Sequence, residues 1–392
     1  MFNSLPQPKP DAIIALMAEY AADPRDTKVD LGVGVYKDDE GRTPVMRAVR
    51  KAEERLHAAQ TTKTYTKLTG DPAFVKAMQE LGLGQATDRM AGAAAPGGTG
   101  ALRVLFELVS RAKPDAKFHI SNPSWPSHEG MLNNMGLSVS KYDYFDAETC
   151  GVRFDDMLAY VNGLGADDIV VLHGCCHNPT GANLTDAQWA QLTESAIANG
   201  WTPLVDLAYQ GMGDGLEEDV TGMRHMASKV QRMMVAQSCS KNFGLYRDRA
   251  GCATVICPDV DETKLVQATL ASVNRMLYSF APDHGAALAE IILNDPELRA
   301  DWEAELTEMR ERINGLRDGL AEALRQATNS DRFDFIKEHR GMFSRLGVTP
   351  EQVKAMRDEA GIYMVQDSRM NIAGLTEEDL PAFARAAAAA GA

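Results

Sequence analysis

Residues 240–249, SKNFGLYRDR, set Lys241 between a serine and an asparagine, with Gly244 three residues on and Arg247 and Arg249 behind it. A lysine amine becomes a nucleophile when desolvation or neighbouring cations lower its pKa. Two readings are open. The run is a solvated basic turn, the usual fate of a charge cluster, or it holds a lysine that does chemistry beside a bound anion. Residues 96–102, PGGTGAL, divide in the same way. They form a plain tight turn, or a helix start whose amides and dipole suit a phosphate. No Lys-Ser/Thr follows to make a Walker loop. The third glycine of a dinucleotide fingerprint is missing here and from DLGVGVY, so a nicotinamide enzyme is disfavoured. Asp206 ends the otherwise apolar Pro203-Leu204-Val205. A buried carboxylate there needs a cation or hydrogen bonds. It caps a helix, or it keeps a heteroaromatic nitrogen protonated, with Tyr209 able to reach the same ligand. Trp125, in a proline-rich loop, packs in a core or stacks on a flat ring. Arg275 and Arg369 are solvated, or they grip carboxylates through paired hydrogen bonds. HGCCH (173–177) invites a zinc reading. Adjacent cysteines on a strand point to opposite faces, so the expectation is core packing and no metal.

The elements that must position these residues are legible as alternating apolar strands and helices. KFHISNPSWP (117–126), DDIVVLHGCCHNPTG (167–181), TPLVDLAYQG (202–211) and RMMVAQSCSKNF (232–243) each read as a strand followed by a loop, and GCATVICP (251–258) as another strand. TDAQWAQLTESAIANG (185–200) reads as a helix opened by Thr185 and closed by Gly200. VDLGVGVY (29–36) is strand-like, KAEERLHAAQ is helical, and PGGTG reads as a loop feeding a long amphipathic helix. This alternation predicts an α/β protein with a mostly parallel sheet covered by helices on both faces. In such sheets ligands bind beyond the carboxyl ends of the strands, where the polar residues of this chain collect. Residues 1–10, with three prolines, read as an extended arm, and Asp11 as the cap of a helix over 12–21. After about residue 300 the character changes, with one long helix over 301–327 and an Ala-rich end. A second domain completed by the N-terminal segment is expected.

The chain has 392 residues, 45% hydrophobic and 24% charged, which is ordinary for a globular enzyme. Its net charge of −15 argues against nucleic acid or an anionic membrane as partner, since either requires a basic face. Cations for an anionic ligand must therefore be concentrated locally. No signal peptide is expected, because the apolar stretch 13–17 is short and bounded by Asp11 and Glu19. No run reaches the roughly 18 apolar residues of a membrane span. Six cysteines in a chain of this length point to reduced thiols and a cytoplasmic location.

Taken in order, VDLGVGVYKDDEG, PGGTGALR, NPSWPSH, HGCCHNPTGANL, DLAYQGMGDGLEED, SCSKNFGLYRDR and DSRMNIAGL resemble the class I aminotransferases that use pyridoxal 5'-phosphate, in particular the aspartate and aromatic amino acid branch. The resemblance runs nearly end to end. It implies a fold-type I homodimer with active sites shared across the interface. A large cofactor domain would span 43–308 and a smaller α/β domain 11–42 plus 309–392, with 1–10 as the arm. It implies Lys241 as Schiff-base lysine and proton shuttle, Asp206 against the pyridinium nitrogen with His128 behind it, and Tyr209 and Asn178 on the phenolic oxygen. Lys241, Asp206 and Tyr209 are the implied catalytic residues. Trp125 would stack on the ring. Gly98, Thr99, Ser238 and Arg249 would hold the phosphate, joined by Tyr65 from the partner subunit. Arg369 would bind the substrate α-carboxylate near Gly34 and Asn178, with Trp125 also lining the substrate. Arg275, from the partner subunit, would meet a second carboxylate. An arginine at 275 favours aspartate and glutamate as donors, aspartate first, whereas apolar Met276, Leu277 and Phe280 beside it suit aromatic donors. The acceptor would be a 2-oxo acid such as 2-oxoglutarate, oxaloacetate or glyoxylate. The competing reading is a cofactor-free binding protein that keeps the fold; the lysine, the aspartate and both arginines argue against it.

Overall fold

The computed structural model describes residues 2–5, 7 and 12–392. The rest of the expected arm, and Asp11 as the expected helix cap, lie outside the described residues. Phe2–Ser4 form a short 3-10 turn, and the first α-helix spans Ala12–Ala22. The chain divides into two compact units. The larger comprises Thr43–Arg312 and His339–Gly341; the smaller comprises Met1–Arg42, Ile313–Glu338 and Met342–Ala392. The division falls inside a helix that runs over Pro296–Thr328, longer at its start than the sequence pattern suggests.

The strands, in chain order, are β1 (Val29–Asp30), β2 (Met90–Pro96), β3 (Lys117–Asn122), β4 (Ser138–Asp143), β5 (Asp168–His173), β6 (Thr202–Leu207), β7 (Met233–Ser238), β8 (Ala250–Ile256), β9 (Phe343–Arg345), β10 (Ile362–Tyr363) and β11 (Arg369–Asn371). In the larger unit seven of them form one sheet, ordered β2-β8-β7-β6-β5-β3-β4. Only β8 runs against its neighbours β2 and β7; the other pairings are parallel. IVV within β5 and MMVA at the start of the wholly buried β7 are apolar on both faces, as a sheet covered on both sides requires. One face, carrying Ala91, Ala93, Phe118, Val171, Leu204 and Ala236, packs on the helices Gly97–Ala112 and Val260–Leu277. Gln237, next to Ala236 and so on the opposite face, donates to the carbonyl of Met78 in helix Pro72–Leu83 at 2.8 Å. The helix opened by Thr185 has the expected capping box with Gln188 and ends at Gly200 in a left-handed conformation.

Two expectations are corrected. PGGTG is not a loop: β2 continues through Pro96 and the helix begins at Gly97, so the glycines form its first turn. Residues 29–36 are not one strand. Only Val29 and Asp30 pair, in parallel, with β10. Beyond them the Asn371 side-chain amide donates to the carbonyls of Val33 and Val35, at 2.8 and 2.7 Å, and the Asp30 carboxylate accepts from the amide of Gly32. Side chains thus satisfy a backbone that a ladder would otherwise serve. Among the described residues no helix is long and apolar enough to cross a membrane.

The turn after β7 is braced from behind. Trp302, fully buried, stacks on Phe243 with ring centroids 4.5 Å apart, and its Nε1 donates to the Asn242 carbonyl at 2.7 Å. We predict that Trp302→Phe, which keeps an aromatic ring but leaves that carbonyl without its donor, lowers stability by about 2 kcal/mol in urea unfolding. An unchanged midpoint would show that the bond contributes nothing.

Candidate active site

Sheet topology brings one set of chain segments to a single edge. The strands β2, β3, β5, β6 and β7 all end there, and antiparallel β8 begins there immediately after Arg249. In register, His173 lies beside Asp206, Ser238 beside Gly251, and Pro96 beside Ala250.

Asp206 is the anionic centre of this edge. Its Oδ2 lies 3.0 Å from Nε2 of His128, a side chain with no exposed surface on the helix Pro126–Asn134. The bonds continue from His128 Nδ1 to Ser124 Oγ at 2.9 Å and from Ser124 Oγ to His173 Nε2 at 3.3 Å, and the backbone N–H of Asn178 points at His173 Nδ1 at 3.4 Å. That last N–H can only donate, and it fixes the direction of the whole chain. His173 Nδ1 accepts, so its Nε2–H donates to Ser124. The Ser124 hydroxyl then donates to His128 Nδ1, leaving the Nε2–H of His128 to donate to Asp206. Burial, reinforced by His177 and His128, holds His173 well below the ordinary histidine range, which keeps it neutral as this chain requires. Burial alone would raise the Asp206 carboxyl. The bond donated by His128, with the field of Lys241, more than offsets it, and Asp206 stays below the ordinary carboxylate range.

Lys241 lies in the turn after β7, its Nζ 4.8 Å from the centroid of the Tyr209 ring. Burial lowers its pKa; the Asp206 anion opposes this and Arg249 adds to it. Arg249 sits in a left-handed backbone conformation, and its NH1 donates to Ser240 Oγ and the Tyr246 carbonyl at 3.3 and 3.2 Å. Gly97, with φ +70°, packs so closely that a Cβ there would meet the Arg249 guanidinium at 2.7 Å; one on Gly98 would lie 3.1 Å from Ser238 Cβ. A helix N-terminus, two serines and a guanidinium thus converge, which is the chemistry of a phosphate site. Trp125 packs edge-on to His128, with centroids 5.3 Å apart. Asn178 is buried, and its Oδ1 has no hydrogen-bond partner among the described residues.

These features fit pyridoxal phosphate. A carboxylate kept ionised suits a ring nitrogen, the orphaned amide oxygen of Asn178 has hydrogen-bonding capacity to spare, and the glycine cradle leaves no room for side chains where a phosphate would approach. Thr99 lies in the first turn of the same helix. In the smaller unit Arg369 opens β11; it is buried, donates to the Gly32 carbonyl at 2.8 Å and stacks on Phe343, whose ring tip adjoins Gly34. Tyr65 and Arg275 stand apart from the cluster. Tyr65 is 79% exposed and stacks on Phe280; Arg275 is exposed and donates to Ser279 Oγ at 2.6 Å. Sequence reasoning missed Ser240, Ser124 and Phe343, and saw His173 only as a zinc candidate.

The ground for setting that zinc reading aside is itself corrected. Cys175 and Cys176 lie past the end of β5, with Cys176 at φ +50°, so strand alternation does not separate them. Their sulfurs and a carboxylate oxygen of Asp219 all lie within 4.8 Å of one another. Both Asp219 oxygens already accept loop amides, from Gly211, Gly213 and Asp214, and the group closes that turn. None of the six cysteines forms a disulfide.

Residues 26–386 match the family model for aminotransferase class I and II. The chain is 54% identical over 388 residues to the aromatic-amino-acid aminotransferase of Paracoccus denitrificans, covering 98% of each. It is 41% identical over 385 residues to the aspartate aminotransferase of Salmonella typhi, covering 97% of each. Among solved structures, the aromatic-amino-acid aminotransferase of Burkholderia pseudomallei, covalently bound to pyridoxal phosphate, superposes with a TM-score of 0.97 at 42% identity, covering 100% of this chain and 99% of that one. The chain belongs to the class I and II aminotransferases and is a pyridoxal-phosphate-dependent transaminase.

Proposed function

We propose that the protein moves the amino group of dicarboxylic and aromatic L-amino acids to 2-oxo acids by a ping-pong route, with Lys241 as the residue that bonds the cofactor and carries the proton. The observation behind this reading is the placement of the Lys241 amine against Tyr209 and in the field of ionised Asp206, at the edge where the phosphate cradle also lies. Pyridoxal phosphate, when bound, supplies an electron sink that makes the Cα–H bond of an amino acid ionisable. Asp206, held anionic by His128, keeps the ring nitrogen protonated. Tyr209 and Asn178 serve the phenolic oxygen, and Trp125 covers the ring. Gly98, Thr99, Ser238 and Arg249 hold the phosphate. Burial lowers the pKa of the Lys241 amine and so favours its neutral form, the form that accepts the Cα proton and returns it as general acid.

Arg369 takes the α-carboxylate, with Gly34 giving close backbone access. Tyr65, exposed and stacked on Phe280, and Arg275, exposed and bonded to Ser279, are read as contributions to the partner subunit's site in a homodimer. The similarity to both aromatic and aspartate enzymes and the apolar Met276 and Phe280 beside Arg275 support dual specificity, with aspartate and phenylalanine both as donors.

Arg275→Leu is expected to reduce kcat/KM for aspartate by about 100-fold, the scale of a lost charge-assisted pair, and for phenylalanine by less than about threefold. Equal losses would overturn the side-chain assignment. Mixed dimers of Arg275→Leu and Lys241→Ala subunits should recover aspartate turnover that neither parent has; no recovery would show that Arg275 serves its own subunit. In the apo-protein, the Lys241 amine should titrate below the ordinary lysine value of about 10.4. Asp206 favours the ammonium form, so Asp206→Asn should move the midpoint further down. This is read from the pH dependence of Lys241 acylation, and an upward move would contradict the assigned field.

A further inference from the structure

We propose that Phe343 is a positioning residue for Arg369, holding its guanidinium in the plane that receives a carboxylate through cation–π contact. This rests on the reading of Arg369 as the α-carboxylate site. The Arg369 guanidinium carbon lies 4.7 Å from the centroid of the Phe343 ring, within the range of attraction by the ring quadrupole. Both groups are buried, so water does not screen the contact strongly. A bond from Arg369 NH2 to the Gly32 carbonyl, at 2.8 Å, fixes one corner of the guanidinium, and the ring face fixes its tilt.

The ring itself is tightly placed. Phe343 lies on β9, paired antiparallel with β11 so that Phe343 faces Asn371 and Arg345 faces Arg369. Arg317, with no exposed surface, donates to the Phe343 carbonyl at 2.8 Å and to Ser344 Oγ at 2.7 Å, which ties β9 down from behind. Asn371 in turn holds the carbonyls of Val33 and Val35, on either side of Gly34. A Cβ at Gly34 would meet Phe343 Cζ at 2.8 Å. Position 34 is therefore glycine partly so that this ring can stay over the arginine. The same side chain that limits the backbone at 34 orients the cation at 369.

The test uses the holoenzyme with Phe343→Leu, and with Phe343→3,5-difluorophenylalanine, which keeps the ring's shape and leaves Cζ unchanged while weakening its negative face. Every substrate carries the α-carboxylate. Phe343→Leu should therefore raise KM on the order of tenfold, by a common factor for aspartate, phenylalanine and 2-oxoglutarate, with kcat changed less than about twofold. The difluoro variant should raise the same KM values about threefold with an unchanged melting temperature. Kinetics indistinguishable from wild type in the difluoro variant, or a loss confined to kcat, would overturn the proposal and leave Phe343 as packing. Arg369→Lys is run beside them. If it leaves every KM unmoved, the carboxylate reading itself falls and the proposal with it. If it raises them while both Phe343 variants do not, only the proposal falls.

Discussion

Keeping Asp206 ionised inside the protein is the constraint on which the rest of the site depends. Burial works against the charge, and His128 answers it with a directed hydrogen bond rather than a mobile counter-ion. That bond is directed only because His128 is held by Ser124, Ser124 by His173, and His173 by a backbone amide that has no alternative but to donate. The orientation of one buried carboxylate is thus referred, through four links, to the main chain after β5. The sheet supplies the frame, since parallel pairing of β5 with β6 sets His173 beside Asp206.

The same edge separates two kinds of positive charge. Arg249, in a strained backbone conformation and pressed against Gly97, lies with the helix N-terminus, where an anion is stabilised. Lys241 is close enough to feel Arg249, and burial and that field together draw down its pKa. One cation stands at the helix N-terminus, and the amine of the other holds its proton less tightly than an ordinary lysine. The basic turn of the sequence thus sets its two cations in different environments. Arg247, exposed in the same run, takes no part in these contacts and is the solvated charge of the plainer reading.

Much of this was legible in the sequence because it follows from local rules. Strand–loop alternation gave the sheet edge, and the polar residues past each strand gave its occupants. The Thr185 cap and the Gly200 stop needed only neighbouring residues. What escaped was set by long-range partners. The extended look of residues 29–36 ends at Asp30 because a side chain from residue 371 satisfies the backbone. Cys175 and Cys176 leave the strand because the chain turns after His173. Ser124 and Phe343 carry no motif of their own; only their neighbours in space, His128 and His173 for one and Arg369 for the other, give them meaning.

The chemistry of the site turns on one amine, and one chemical map tests it directly. Reduction of the holoprotein with borohydride, followed by digestion and peptide mass mapping, locates the lysine that bonds the cofactor. The structure predicts a single pyridoxyl adduct, on the peptide that contains Lys241. An adduct on any other lysine, or a Lys241 peptide recovered unmodified from fully loaded protein, would contradict it.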